Sequence, residues 1–103
     1  MQDTFDVHVT ETPERTVVVV AGELDLSTSA HVTQATDALV LTGRTLSVDL
    51  AAVPFIDSSG LNMLLTLRRR AEQEHAGLEL RGLGRQALRL LDLTGSRDLF
   101  HLS

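Results

Sequence analysis

The residues best suited to chemistry lie near the middle of the chain, at residues 57–60 (DSSG). A strand-like apolar pattern ends at Ile56, and a leucine-rich helix pattern begins at Leu61. Small polar residues at such a junction expose hydroxyls beside backbone N–H groups that the helix leaves unpaired. Taken alone, the segment is most simply the N-cap of the helix, with Asp57 or Ser58 supplying the capping oxygen.

A second acidic segment, residues 22–25 (GELD), follows an earlier strand pattern and also precedes a helix pattern. Strand ends in a compact α/β domain often share one edge of the sheet, where binding sites are built. We therefore expect Glu23 and Asp25 to lie near residues 57–60. An alternative for Asp25 is an N-cap for the helix that starts near Ser27 and Thr28.

The ordinary enzyme motifs are missing. The chain contains no lysine, so it has no Walker-type phosphate loop, and no glycine precedes Ser58 where a nucleophile elbow would need one. The four histidines are far apart and lack metal-ligand spacing (His8, His31, His75 and His101). A catalytic triad built on Ser58 stays open as an alternative, although nothing points to one.

Three consecutive arginines, residues 68–70, look at first like an anion-binding patch. Successive helical residues point about 100° apart, so the three side chains do not converge. We interpret them as a solvated helix face, with Glu72 and Glu74 as ion-pair partners.

Hydrophobic periodicity predicts strands at residues 5–10, 16–21, 45–50 and 78–81, and the tail at residues 98–102 either adds a short strand or simply packs on the domain. Helix patterns fill the intervals, so the order is β-β-α-β-α-β-α-(β) and residues 1–103 form one α/β domain. The first helix is expected to have its cap among residues 27–29 (STS). Gly43, Gly77 and Gly95 are expected to end the three helices.

Composition excludes several classes of function. The net charge is −5, with 14 acidic residues against 9 basic ones, all arginine, and phenylalanine is the only aromatic residue. Such a chain is a poor nucleic-acid binder. It has no cysteine, no signal-like amino terminus and no apolar run long enough to cross a bilayer. We expect a cytoplasmic monomer without membrane contact.

Three segments together resemble the STAS domain family: residues 19–25 (VVAGELD), 48–61 (VDLAAVPFIDSSGL) and 91–95 (LDLTG). The chain is most similar to free-standing anti-sigma factor antagonists, also called anti-anti-sigma factors. The resemblance implies a mixed sheet of four to five strands with helices mainly on one face. Relatives often carry a small residue where this chain has Asn62.

The resemblance also implies a function. Unphosphorylated members bind an anti-sigma factor that is itself a serine kinase, and this binding releases a sigma factor. The kinase phosphorylates the first serine of the motif, here Ser58, and a PP2C-type phosphatase restores it. Mg·ATP belongs to the kinase, so we expect no cofactor, no metal site and no enzymatic activity in this chain.

The implied phospho-acceptor is Ser58, and the implied partner contacts are Glu23, Asp25, Asp57, Ser59, Gly60, Leu61 and Asn62. Asp57 would also cap the helix, and Gly60 would let the partner approach closely because it has no Cβ. Two alternatives remain: a STAS accessory subunit of a phospholipid-transport ABC complex, and a small serine hydrolase that uses Ser58.

Overall fold

The computed structural model describes residues 5–103, which form five strands, three α-helices and one short 3₁₀ helix. In chain order they are β1 (Asp6–Glu11), β2 (Arg15–Ala21), α1 (Leu26–Asp37), β3 (Thr45–Ala52), α2 (Ser58–Gln73), β4 (Gly77–Arg81), α3 (Arg85–Leu93), the 3₁₀ helix (Arg97–Leu99) and β5 (His101–Leu102). The predicted order is confirmed, and the tail adds a short strand.

The strands form one mixed sheet in the order β1-β2-β3-β4-β5. β1 and β2 form an antiparallel hairpin, and every other neighbouring pair is parallel. Because β2, β3 and β4 run in the same direction, their carboxyl ends meet at one edge of the sheet. Each of these strands leads into a helix, so the N-termini of α1, α2 and α3 gather along that edge.

All three helices pack on one face of the sheet. In β2, Val18 and Val20 are fully buried in the core, whereas Val19 between them is 36% exposed on the other face. Each helix adds side chains to this same core, for example Leu64 from α2 and Leu91 from α3. Burying one such leucine contributes about 2 kcal/mol. The expected helix layer on one face is therefore confirmed.

The ends of α1 and α2 differ from the prediction. α1 ends at Asp37, well before Gly43, and α2 ends at Gln73. The residue with left-handed backbone after α2 is His75, at φ 56°, and Gly77 already belongs to β4. Only Gly95, at φ 68°, directly follows the C-cap of its helix, as predicted.

The arginine run has a structural explanation that the sequence interpretation captured only in part. The ion pairs Arg68–Glu72 (3.4 Å) and Arg70–Glu74 (2.7 Å) are present as predicted. Two of the guanidinium groups also bind the backbone of other segments. Arg70 donates to carbonyl oxygens near the end of α1, and Arg68 donates to the carbonyl oxygen of Leu99. They tie segments together, so the description as a purely solvated face was wrong.

Across residues 5–103, none of the helices combines the length and the apolar character needed to cross a bilayer.

Candidate functional site

The two acidic segments of the sequence meet at the carboxyl edge of the sheet. Leu24 and Ile56 form an isolated parallel bridge between the segments that leave β2 and β3. The Leu24 N–H donates to the carbonyl oxygen of Phe55 at 2.9 Å, and the Asp57 N–H donates to that of Leu24 at 3.1 Å. The expectation that the segments lie together is confirmed.

Asp57 is the N-cap of α2. Its backbone is extended, at φ −102° and ψ −174°, and its carboxylate Oδ1 accepts the Gly60 N–H at 3.0 Å. Ser58 is the first helical residue and is exposed, while Ser59 is half-buried. Within the described chain, neither the Ser58 Oγ nor the backbone N–H of Ser58 or Ser59 has a hydrogen-bond partner. Ser58 therefore presents a free hydroxyl at a helix N-terminus.

Asp25 plays the corresponding part at α1. Its Oδ1 accepts the Thr28 N–H at 3.0 Å, and the Thr28 Oγ1 accepts the Asp25 N–H at 2.9 Å, which completes a capping box. Hydrogen bonds from the backbone and then the hydroxyl of Thr28 lower the pKa of the Asp25 carboxyl group. The alternative of a capping role for Asp25 is confirmed. The predicted caps among residues 27–29 were wrong, because α1 already begins at Leu26.

Gly60 and Leu61 point into the domain. A Cβ built on Gly60 would lie 2.7 Å from Ile56 Cγ1 and 2.8 Å from the Leu24 carbonyl oxygen. Leu61 is only 4% exposed and belongs to the core. The glycine is thus required by contacts beneath the site, and the close approach of a partner at Gly60 stays a prediction. Neither residue offers a side chain to another protein in this conformation.

The other predicted residues remain accessible. Ser58 and Asn62 are both exposed and lie four residues apart, so they share one face of α2. We call these accessible residues the Ser58 surface. They supply two hydroxyl groups, one amide and three carboxyl groups: Ser58, Ser59, Asn62, Glu23, Asp25 and Asp57.

Two apolar side chains beside this surface were missed by the sequence analysis. Leu26, the first residue of α1, is 76% exposed, and Phe55, which accepts the Leu24 N–H, is 44% exposed. Leu26 directly follows the first acidic segment, and Phe55 lies two residues before Asp57. An apolar residue in a sequence is first taken as core, so no sequence signal separated these two from their buried neighbours.

Gln86, in the first turn of α3, was also missed. Its Oε1 accepts the Ile56 N–H at 2.9 Å, and its Nε2 donates to the Ile56 carbonyl oxygen at 2.8 Å. The two residues are 30 positions apart, so no local pattern could have paired them.

Two kinds of catalytic site find no support in the described chain. Residues 5–103 contain no group of three or more histidine, cysteine, aspartate or glutamate side chains that could hold a metal ion. No histidine there hydrogen-bonds to the free hydroxyl of Ser58, so the described structure contains no triad with that serine.

Comparison with known proteins agrees with the fold and with the motifs. Residues 7–101 match the family described as "Mlab, STAS domain". The anti-sigma-B factor antagonist of Listeria monocytogenes is 33% identical over 86 residues, which cover 82% of this chain and 75% of that protein.

Two solved structures show the same architecture. An anti-sigma factor antagonist from Mycobacterium paratuberculosis has a TM-score of 0.83 and 31% identity, over 96% of this chain and 85% of that one. The antagonist SpoIIAA in its unphosphorylated form has a TM-score of 0.75 over 97% and 88% of the two chains; at 19% identity it speaks for the fold alone. Because the family match spans nearly the whole chain, this protein belongs to the STAS domain family.

Proposed function

We propose that this protein is an anti-sigma factor antagonist whose binding is switched off by phosphorylation of Ser58. The observation that carries the proposal is the free hydroxyl of Ser58, exposed at the first residue of α2 while Asp57 supplies the cap. Relatives that bear the name anti-sigma-B factor antagonist support the choice of partner. In this role the domain is a binding protein and a kinase substrate, and it performs no catalysis.

The partner is an anti-sigma factor with serine kinase activity, which brings its own Mg·ATP. The Ser58 Oγ attacks the γ-phosphorus, the bond to the leaving ADP oxygen breaks, and the hydroxyl proton passes to a base of the kinase. A PP2C-type phosphatase later hydrolyses the new Oγ–P bond. The unphosphorylated form binds the anti-sigma factor, and the sigma factor is released.

Phosphorylation would alter the surface and leave the fold intact. A phosphoserine carries about −1.5 to −2 charges. At residue 58 it lies beside the unpaired N–H groups of Ser58 and Ser59, and negative charge at a helix N-terminus is favourable by about 0.3–1 kcal/mol. The local helix therefore tolerates the group.

The phosphate on Ser58 would weaken the complex with the partner. Glu23, Asp25 and Asp57 already make the Ser58 surface acidic, so a contact shaped for a neutral hydroxyl would bury a dianion among carboxyl groups. Two unit charges about 7 Å apart interact by about 2 kcal/mol at an effective dielectric of 20. Since about 1.4 kcal/mol is tenfold in affinity, each such charge pair weakens binding by more than about tenfold.

Intact-mass measurement tests the proposal. Incubation with the cognate anti-sigma kinase and Mg·ATP should add about 80 Da, the net gain when one phosphoryl group replaces the hydroxyl hydrogen. Ser58→Ala should abolish the gain, and the matched variant Ser59→Ala should retain it. A wild-type protein that binds the kinase but gains no mass would contradict the phosphorylation switch. A protein that neither binds the kinase nor gains mass would contradict the whole proposal and favour the alternative of an accessory subunit in an ABC complex.

A further inference from the structure

The backbone around Ile56, the residue before the Asp57 cap, is hydrogen-bonded on both sides. On one side, Leu24 binds the carbonyl of Phe55 and the N–H of Asp57 through its own backbone. On the other side, the side-chain amide of Gln86 binds both the N–H and the carbonyl of Ile56, at 2.9 and 2.8 Å. Successive peptide groups of an extended segment point to opposite sides. At Ile56, the Gln86 amide thus makes the two hydrogen bonds that a neighbouring strand would make.

This contact joins α3 to the segment that leads into α2 just before Ser58. Ile56 lies two residues before Ser58, and its side chain is 3% exposed in the core beneath Gly60. Fixing both hydrogen-bonding groups of the Ile56 backbone fixes the path by which the chain enters α2. We infer that Gln86 is a positioning residue for the phosphorylation of Ser58, an inference that rests on the proposed function.

The chemistry of the contact explains why an amide is needed. The Ile56 backbone has one donor and one acceptor, and a glutamine side chain can hydrogen-bond to both at once. An ionised glutamate can only accept a hydrogen bond, and methionine has no donor and only a weak acceptor. Phosphoryl transfer depends on placing the attacking oxygen in line with the leaving group, so small displacements of the acceptor loop lower the rate.

A role in folding alone fits the position less well. The residues of α3 that enter the core are Ala87 and Leu91, while Gln86 is half-buried at its margin. Replacing Gln86 removes two hydrogen bonds and little apolar contact. The domain should therefore stay folded while the loop in front of Ser58 becomes looser.

The test uses the full chain with two substitutions and one control. Gln86→Met keeps the length of the side chain and removes both hydrogen bonds. Gln86→Glu keeps an acceptor for the Ile56 N–H and removes the donor to its carbonyl. Arg89→Gln changes an exposed residue one turn further along the same helix. Each protein is phosphorylated by the anti-sigma kinase at saturating Mg·ATP, and kcat and KM are determined from intact-mass time courses.

Amide hydrogen exchange measured by NMR reports on the loop itself. In Gln86→Met the Ile56 amide should exchange about tenfold faster, as expected for the loss of one hydrogen bond, while the Asp57 amide, held by Leu24, keeps its protection. In Gln86→Glu the Ile56 amide should remain protected. In both variants kcat for Ser58 should fall about tenfold with less than about a twofold change in KM. Arg89→Gln should behave as wild type.

The results that would overturn the inference are distinct. An unchanged kcat in Gln86→Met, or an unchanged exchange rate at Ile56, would show that the amide does not position the loop. A raised KM with unchanged kcat would make Gln86 a partner contact instead. If wild-type protein is not phosphorylated at all, the proposed function itself fails and the inference fails with it.

Discussion

At the scale of single residues, Asp57 and Ser58 divide the work of the α2 N-terminus. The Asp57 carboxylate accepts the Gly60 N–H, so the Ser58 hydroxyl is not needed to cap the helix. A serine that served as the cap could not be modified without loss of that hydrogen bond. Because Asp57 supplies the cap, the phosphorylation proposed at Ser58 would leave the cap in place.

Substitution of Ser58 tests this separation. Ser58→Asp should weaken binding to the anti-sigma factor by at least about tenfold, because it places one negative charge where the partner meets a neutral hydroxyl. Ser58→Ala should bind as well as wild type. Affinities are measured by titration calorimetry, and circular dichroism should show all three proteins equally folded. Normal binding by the aspartate variant would refute the charge mechanism.

Gly60 gives a second residue-scale prediction. Gly60→Ala should destabilise the domain by about 1–3 kcal/mol, the usual cost of forcing a methyl group into a packed core. The new Cβ would meet Ile56 and the backbone of Leu24 at less than 3 Å. Urea denaturation measures the loss. Gly84→Ser is the matched control, since a Cβ at Gly84 meets nothing within 4 Å and serine is a good N-cap. Equal stability of Gly60→Ala and wild type would contradict this account.

At the scale of elements, α1 and α2 start at the shared site and are tied together again at the other end of α1. Arg70 on α2 donates to the carbonyl oxygens of Thr36 at 2.7 Å and Leu39 at 2.6 Å, where α1 has ended. Leu39 lies beyond the end of α1, and the Thr36 carbonyl oxygen also accepts the Leu39 N–H at 3.1 Å. Arg70 adds a charged donor to both carbonyl oxygens and so joins the end of α1 to α2.

Removing this tie should loosen the packing of the two helices. Arg70→Ala should cost about 1–3 kcal/mol, because two carbonyl oxygens lose a charged hydrogen-bond donor. Arg69→Ala is the control on the same turn: Arg69 is exposed and donates only to Thr66, at 3.3 Å, so its loss should change stability by less than about 0.5 kcal/mol. Thermal unfolding compares the variants. A similar change from both substitutions would show that the tie to α1 is unimportant.

At the scale of the whole molecule, the sheet face opposite the helices carries an ion pair that joins β2 to β4. Arg15 donates to Glu79 across β3, and this hydrogen bond lowers the pKa of the Glu79 carboxyl group. Arg70 lowers the pKa of Glu74 in the same way. A carboxyl group with a lowered pKa in the folded state stabilises the fold above its unfolded pKa, and that contribution is lost as pH falls through the lower folded value.

Stability should therefore decline in acid, beginning near the ordinary glutamate pKa of 4.5. Glu79→Gln should be less stable than wild type at neutral pH, and the difference should shrink below that value until the two proteins match once Glu79 is protonated. Urea denaturation from neutral pH to about pH 3 gives both curves. Arg15→Gln should converge with wild type in the same range. A difference that persists unchanged in acid would show that the ion pair does not contribute.

The sequence by itself determined the order of the elements and the position of the two acidic segments. Apolar residues repeat with the period of the element they form, so strands and helices can be recognised locally. The acidic segment ahead of α1 and the serine-containing segment ahead of α2 were likewise local, and the parallel sheet required by the alternating elements brought them to one edge.

Only the tertiary structure decided what depends on residues distant in the chain. The burial of Gly60 is set by Leu24, the end of α1 is completed by Arg70, and the path into α2 is held by Gln86. The exposure of Phe55 likewise depends on which surfaces the sheet leaves uncovered. These features arise from contacts across 30 or more residues, and periodicity and capping preferences carry no information about such contacts.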